Sequence, residues 1–378
     1  MEVPFNPSEG SSLGVEIELG LVDVASGALT GAAPTILAEL SARNQGMEHP
    51  RIKAELYQCT LEVITGVCAT VGDARHDLQT GIDEIRDIAA LHGVDVISAG
   101  LHPFSSWRSQ TRSEGERYDA IVERIQWPAR RLITHGVHYH VGVRSAEKSI
   151  SITNALATML PVFLALSTSS PYWQGTDTGL MSARTKVFEA LPSTGLPPSL
   201  ENWDEFERFM TSLINAGTIT TIREVWWDIR PHPNFGTVEL RMCDAMPTLT
   251  ETCALAALAQ SAVERYDELL DRGYRLPTER DWVLRENKWR AARYGIEATL
   301  VHGDGSVTRL ADEVGQWVHR VRPEALALGT EADLDRVLDI LDRQPSYVRQ
   351  RAIVAEGGTL RDVVELLRRE FANDRVGG

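Results

Sequence analysis

Cysteine is scarce in this chain, and what there is forms no pattern: Cys59, Cys68, Cys243 and Cys253 are the four among 378 residues, none in a Cys-x-x-Cys pair. That excludes a small disulfide-stapled scaffold and a cysteine-based zinc ribbon, and it suits a cytoplasmic protein with reduced thiols. Positive charge is also short. Lys and Arg number 38 against 53 Asp and Glu, a formal net charge of -15, so no surface is expected to neutralise a row of nucleic-acid phosphates. An acidic chain can still bind ATP, because bound metal ions reverse the local sign inside a pocket. Long apolar runs are missing too: the longest stretch, Ile152 to Leu166, is interrupted by Thr153, Asn154 and Thr158 and contains Pro161. It reads as too short and too polar to span a bilayer. The opening Met1-Glu2-Val3-Pro4-Phe5 has no basic flank before an apolar core, so no secretory signal is expected. Internal repeats and low-complexity tails are absent as well.

What is present is a globular composition, 43% hydrophobic and 24% charged, with room for a sizeable core. The first half alternates two periodicities. Leu13 to Val22, Val94 to Ala99 and His135 to Val143 read as strands, and Ile52 to Thr65 as extended structure. Between them, Thr35 to Arg43, a segment capped by Asp73 and running to Gly93, and Gly115 to about Arg130 (broken near Pro128) read as helices. A buried helix follows from Ala146 to Leu166. Ser167 to Leu200, rich in Ser, Thr, Gly and Pro, has no clear period and is expected to be a functional lid. Glu201 to Ile214 is helical; Glu224 to Arg230 and Thr237 to Met242 form a hairpin. From Thr248-x-x-Glu251, a capping box, the pattern turns helical: to Leu270, then Thr278 to Arg293, Arg309 to Val321, Glu331 to Leu341 and Thr359 to Phe371. The expected organisation is an α+β catalytic core over residues 1–247 with a helical part over 248–378 packed on it as one continuous domain.

Four segments carry charge where a half-buried strand would carry apolar residues: Gly14-Val15-Glu16-Ile17-Glu18, Ala54-Glu55 through Leu61-Glu62, Gly136-Val137-His138-Tyr139-His140, and Val238-Glu239-Leu240-Arg241. A strand puts residues two apart on one face, so Glu16 with Glu18, His138 with His140, and Glu239 with Arg241 each stand side by side while Val15, Ile17, Val137, Tyr139 and Leu240 point away. Like charges on one face repel, and a cation or a densely charged ligand makes the arrangement favourable. Glu16, Glu18, Glu55, Glu62 and Glu239 would supply hard oxygen ligands for more than one Mg²⁺. Arg241 is suited to phosphate oxygens. Glu55 and Glu62 stand an odd number of residues apart, so a bulge or turn between them is needed for both to line one site.

With these residues the chain resembles the glutamate-cysteine ligase superfamily, in its short type 2 branch of YbdK-like carboxylate-amine ligases. Glu16 and Glu18 match the first metal-binding strand, Glu55 and Glu62 its second acidic pair, His138 the histidine of its central strand, and Glu239 with Arg241 its closing Glu-x-Arg. The run from Ser169 to Leu180 and the segment Trp226 to His232 are typical of the branch. The resemblance implies a curved, mainly antiparallel sheet of about six strands forming a funnel, as in glutamine synthetase, flanked by helices. It also implies ATP with two or three Mg²⁺ ions, for which Mn²⁺ can stand in. The substrate carboxylate would attack ATP to give an acyl phosphate, and an amine would displace phosphate, with L-glutamate and L-cysteine as the default pair. Arg241 and His138 are then the catalytic and nucleotide-binding candidates. Arg184 and Arg230 are candidates for holding a substrate carboxylate by a paired contact, and the loop around Trp173 for specificity.

Other readings stand beside this one. A lone Glu-x-Glu is usually a solvated sheet face, but its recurrence on several strands argues for a site. His138-x-His140 resembles a zinc pair without a third ligand, and one of the two is expected to be structural. Trp203, Trp226 and Trp227 read as core or wall, and Cys243 as a small buried side chain. The same chemistry on another amine or carboxylate, a metal-dependent hydrolase, and a binding protein without turnover are the competing functions. The partners are small-molecule substrates, with neither nucleic acid nor membrane. Apolar helical surface in the last third would suit a homodimer.

Overall fold

Leu13, Val15, Ile17 and Leu19 alternate with Gly14, Glu16 and Glu18, and this period of two builds the central strand β1 (Leu13–Asp23). In the computed structural model, which describes residues 2–377, β1 is one of seven strands in a wholly antiparallel sheet. The others are β2 (Ile52–Ala54), β3 (Thr60–Ile64), β4 (Val94–Ile97), β5 (Gly136–Gly142), β6 (Ile229–His232) and β7 (Thr237–Asp244). Their order is β6-β7-β5-β1-β3-β2, and β4 joins β1 along Gly20 to Asp23. There are seven strands rather than about six because the extended stretch after Ile52 folds back on itself, β2 pairing with β3.

The apolar face of this sheet is the middle of the protein. Val15, Ile17, Leu19, Val137, Tyr139, Val141, Val238 and Leu240 are at most 2% exposed. Against them lie the helices Val71–Leu91, Ala146–Ser167 and Leu249–Asp271. The last presents Ala254, Ala256, Ala257, Ala259 and Ala262, small side chains that let helix and sheet approach closely. Tyr139 crosses that contact and donates its hydroxyl proton to the Thr252 carbonyl at 3.0 Å. One apolar cluster runs from Leu13 to Phe371, drawing in Leu334, Val337 and Ile340 from the last third. Arg349 is a polar tie in that third, reaching buried Glu251 at 3.0 Å and buried Glu370 at 2.9 Å.

Several sequence expectations change. The helix begun by Asp73 is capped by Thr70, with Asp73 at the third position returning the bond, a reciprocal capping box. The break expected near Pro128 falls at Gln126, φ 60°, and parts the helices Glu116–Ile125 and Trp127–Arg130. Trp226–Trp227 leaves the main sheet to pair with Thr194–Gly195 in parallel. Helices at Arg322–Ala327 and Ser346–Ala355 and a ribbon of Thr299–Val301 with Val307–Arg309 fall where no element was expected. The helix Ala146–Ser167 is, by length and composition, apolar enough to cross a membrane, contrary to the reading from sequence. Its most apolar window is 83% buried inside the protein, so it is a core helix.

Two helical glycines make opposite stability predictions. A Cβ on Gly81 would meet Val63 Cγ1 at 2.7 Å, whereas one on Gly315 would meet nothing within 4 Å. Alanine gains about 1 kcal/mol of helix propensity at either place, and overpacking costs about 1–3 kcal/mol. Gly315→Ala should therefore raise the urea midpoint and Gly81→Ala lower it; equal shifts would show that the helix does not press on β3.

Candidate active site

Strand register decides which polar side chains meet. Glu16 lies opposite His138, Glu18 opposite Glu62, and Glu239 opposite both His140 on β5 and Arg230 on β6. Directly opposed residues share a face, so the polar positions of five strands converge. The odd spacing of Glu55 and Glu62 resolves through the turn between β2 and β3. Lys53 pairs with Glu62, and Glu55 is two residues beyond Lys53, so chain reversal returns it to the side Glu62 occupies. After Leu240 the β7–β5 register slips by a residue, a bulge, and Arg241 stands within β7 at that point.

These residues line a cavity of about 290 Å³. Glu16, Glu18, Glu55, Glu62, Glu239, His138 and Arg241 are all on its wall, with Arg230, His140 and His232 beside them. From the flanks, Arg117, Tyr118, Thr134 and Trp226 complete it. Five carboxylates thus face three guanidinium groups.

The charges are not evenly compensated. Glu239, fully buried, receives Arg230 Nε at 2.7 Å and an ion pair from Arg241. Burial alone would raise its pKa, but the two guanidinium groups hold it well below the ordinary range. Glu16 is similarly held down against burial by hydrogen bonds with His138 and His140, the first at 2.9 Å. Ionised Glu16 can only accept, so His138 carries its proton on Nδ1 and keeps a lone pair on Nε2. Burial and the Arg241 charge keep His138 neutral by lowering its pKa. For His140 burial pulls the same way, but Glu239 and Glu16 outweigh it and its pKa is raised. His140 Nδ1 meets Thr237 Oγ1 at 3.1 Å, and Nε2 stands 3.3 Å from Glu16.

At the β2–β3 end the balance reverses. Burial, with the Glu18 charge next, pushes the Glu55 carboxyl up to about 8. Burial with the charges of Glu55, Glu16 and Glu18 holds Glu62 well above the ordinary range. Three sets of ligand atoms lie within 4.8 Å of one another: Glu18 with Glu55 and Glu62, Glu16 with Glu62 and His138, and Glu16 with His140 and Glu239. Oxygen-rich, crowded and under-compensated, this set fits hard divalent cations.

The structure thus brings together all five glutamates with His138, Arg230 and Arg241. It does not bring in Arg184 or Trp173. Arg184 lies on the buried helix Ala183–Phe188, 3.9 Å from Asp244 and within 3.4 Å of the Met242 carbonyl, outside the cavity. Room for it exists because position 136 is glycine; a Cβ there would collide with its guanidinium. Trp173 stacks instead on Arg131, whose guanidinium is 4.5 Å from its ring. Phe188 and Leu191 from the stretch Ser167 to Leu200 line the cavity, but the stretch is anchored rather than free: Ser169 to Tyr172 and Met181 to Thr185 are buried. Asp244 fastens them, accepting from Ser170 Oγ at 2.6 Å, Ser182 Oγ at 2.8 Å and the Ser169 amide at 3.1 Å. His140, read as the structural partner of His138, faces the site. Its period-two spacing carried that signal, as did that of His232 with Arg230. Nothing in the sequence marked Arg117 or Tyr118.

The profile of glutamate-cysteine ligase family 2 matches residues 12–365. A protein of Thermobifida fusca, provisionally named glutamate–cysteine ligase 2, is 49% identical over 372 residues, covering 98% of this chain and 93% of its own. A Frankia alni protein with a similar provisional name is 51% identical over 377 residues, covering 99% of both. Among solved structures, glutamate–cysteine ligase of Francisella tularensis in complex with AMP superposes with a TM-score of 0.72 at 14% identity, covering 98% of this chain and 90% of that one. A bifunctional glutathione synthetase from Pasteurella multocida gives 0.67 at 13% identity, over 96% of this chain and 52% of that one.

Cation binding should release protons. With the Glu55 carboxyl raised to about 8 and Glu62 higher than usual, protons occupy part of the cluster at neutral pH and must leave when a cation enters. Apparent Mn²⁺ affinity should rise from pH 6 to 8 and level off about one pH unit above. Calorimetry in buffers of different protonation enthalpy reads this directly. Binding at pH 7 with no proton release would show that the acidic cluster is not the ligand set.

Proposed function

The chain belongs to glutamate-cysteine ligase family 2, and from that premise we propose that this ATP-dependent carboxylate-amine ligase works through an acyl phosphate, with L-glutamate and L-cysteine as its default substrates. The observation that carries the reading is the set of three overlapping ligand groups beside Arg241 in one cavity. An oxygen of the substrate carboxylate attacks the γ-phosphorus of ATP; the new C–O–P linkage forms as the bond to the β-phosphate oxygen breaks, and ADP leaves. The amine nitrogen then attacks the acyl carbon, phosphate departs with the electron pair of the C–O bond, and the nitrogen loses a proton to give the amide. Divalent cations held by Glu16, Glu18, Glu55, Glu62 and Glu239, with the histidines at hand, would neutralise and align the phosphate oxygens.

The chain's own groups do the rest. Glu239 orients Arg241 and Arg230, so a guanidinium is already fixed where negative charge accumulates during phosphoryl transfer. Burial works against the Arg241 charge, but Glu239 outweighs it and raises the pKa, so the guanidinium stays cationic. Neutral His138 leaves a lone-pair nitrogen in the cavity without adding positive charge. AMP bound to the similar Francisella tularensis enzyme supports a nucleotide as one substrate of this chain. The cavity accounts for a small carboxylate and amine; it does not by itself name the amine.

The test is Mg²⁺-dependent ADP release with L-glutamate, scanned over L-cysteine and other amines, with mass spectrometry of the products. ADP in proportion to an amide is the expected result. Metal-dependent hydrolysis without ATP would overturn the ligase reading. Arg241→Lys should lower kcat about 10²- to 10³-fold, because a point charge does not reproduce the fixed guanidinium fork. An unchanged rate would remove Arg241 from the transferring group.

A further inference from the structure

The cavity holds three guanidinium groups, and two are spoken for. Arg230 and Arg241 are both bound to Glu239, and Arg230 also donates to the Val225 carbonyl at 2.6 Å. Arg184, the other sequence candidate for a substrate carboxylate, faces Asp244 elsewhere. Arg117 differs from all of these: it lines the cavity, is exposed, and makes no ion pair or hydrogen bond with any described residue. It sits in the first turn of the helix Glu116–Ile125, where the helix dipole already presents positive charge and a cation is locally unfavourable. Glu116 and Asp119 in the same turn suit the dipole and the Glu55 carboxyl feels the Arg117 charge, but no carboxylate of the described residues pairs directly with the guanidinium, which leaves it available to a ligand.

Its position is equally specific. At Arg117, Ile121 and Trp226 the acidic cavity continues into a neighbouring cleft of about 370 Å³, whose walls are the Glu116–Ile125 helix and the loop from Thr220 to Trp226. Arg124 belongs to that cleft too, but it is held by Glu224 and so ties loop to helix. The opening therefore offers one free guanidinium, an indole and an aliphatic side chain, adjoining the Glu18, Glu55 and Glu62 end of the site.

We propose that Arg117 binds the α-carboxylate of the amino-acid substrate, so that the side-chain carboxylate enters the acidic cavity as the reacting group and the α-carbon stays at the Trp226 mouth. The inference rests on the ligase reading above and deepens it: the enzyme selects α-amino acids with a second carboxylate over simple carboxylic acids of the same length. Arg117 acts in recognition rather than in the bond-making steps.

The experiment compares L-glutamate with 4-aminobutyrate, which keeps the reacting carboxylate and amine but lacks the α-carboxylate. Binding of each is measured by calorimetry on the full chain with Mg²⁺ and a non-hydrolysable ATP analogue. The expected result is that wild type prefers L-glutamate by about tenfold to a hundredfold, the range of a charge-assisted contact. Arg117→Ala should abolish that preference with nucleotide affinity unchanged, and Arg117→Lys should recover part of it. A merely structural arginine would weaken both ligands and the nucleotide together. An Arg117→Ala protein that keeps the wild-type preference overturns the proposal while leaving the ligase reading intact. The ligase reading fails separately, in the product assay, if wild type forms no amide with any amino acid.

Discussion

Carboxylates gathered on one buried sheet face are the constraint that the rest of this structure accommodates. Two ionised groups 4 Å apart repel by about 4 kcal/mol at an effective dielectric of 20, and burial adds a desolvation cost to each. The chain meets this in two ways across a single surface. On the β7 and β6 side, the charges of Arg230 and Arg241 compensate Glu239, and hydrogen bonds from His138 and His140 stabilise ionised Glu16, so these carboxylates stay ionised. On the β2 and β3 side Glu55 and Glu62 have no cation within ion-pair distance among the described residues, and their pKa values rise. The site is thus half neutralised by the protein and half prepared for cations from solution, and phosphate oxygens brought by ATP would meet fixed guanidinium on one side and metal on the other.

Such a face survives because its reverse is apolar and buried throughout. The polar site positions on β1, β5 and β7 have apolar neighbours one residue away, buried against the helices Val71–Leu91, Ala146–Ser167 and Leu249–Asp271. A slip of one residue would exchange carboxylates for valines in the core, so the apolar pattern that stabilises the fold also fixes the register that lines up Glu16 with His138 and Glu18 with Glu62. Stability and site geometry are two consequences of one pairing.

The serine-rich stretch shows how composition can mislead. Ser169, Ser170 and Ser182 resemble loop residues, yet the Ser170 and Ser182 hydroxyls and the Ser169 amide donate to the buried carboxylate of Asp244. That carboxylate, raised by burial and moderated by Arg184, pins the segment to the end of β7. The segment therefore braces the strand that carries Glu239 and Arg241. It also lends Phe188 and Leu191 to the cavity wall, while the cleft beside the site is framed by the Glu116–Ile125 helix and the loop before Trp226, elements without a motif.

The acidic strands were legible in the sequence because their chemistry violates the alternation around it: Glu16, Glu18, His138, Glu239 and Arg241 stand where half-buried strands seldom carry charge, and a period of two is local information. The family, the antiparallel sheet and the five glutamates followed from that. The Glu55 and Glu62 pair was only half legible, since the parity of a hairpin depends on which residues pair across the turn. Arg184, Trp173 and Arg117 could not be sorted at all. Whether an arginine spends its charge on a buried aspartate or faces a cavity depends on residues far away in the chain, Asp244 for the first and the Glu55 neighbourhood for the last. The sequence by itself determined the ligand types, their faces and the scaffold, because those depend on near neighbours. Only the tertiary structure decided which arginines are paired within the fold and which face the cavity without a carboxylate partner, because that depends on distances between strands and loops that no local pattern encodes.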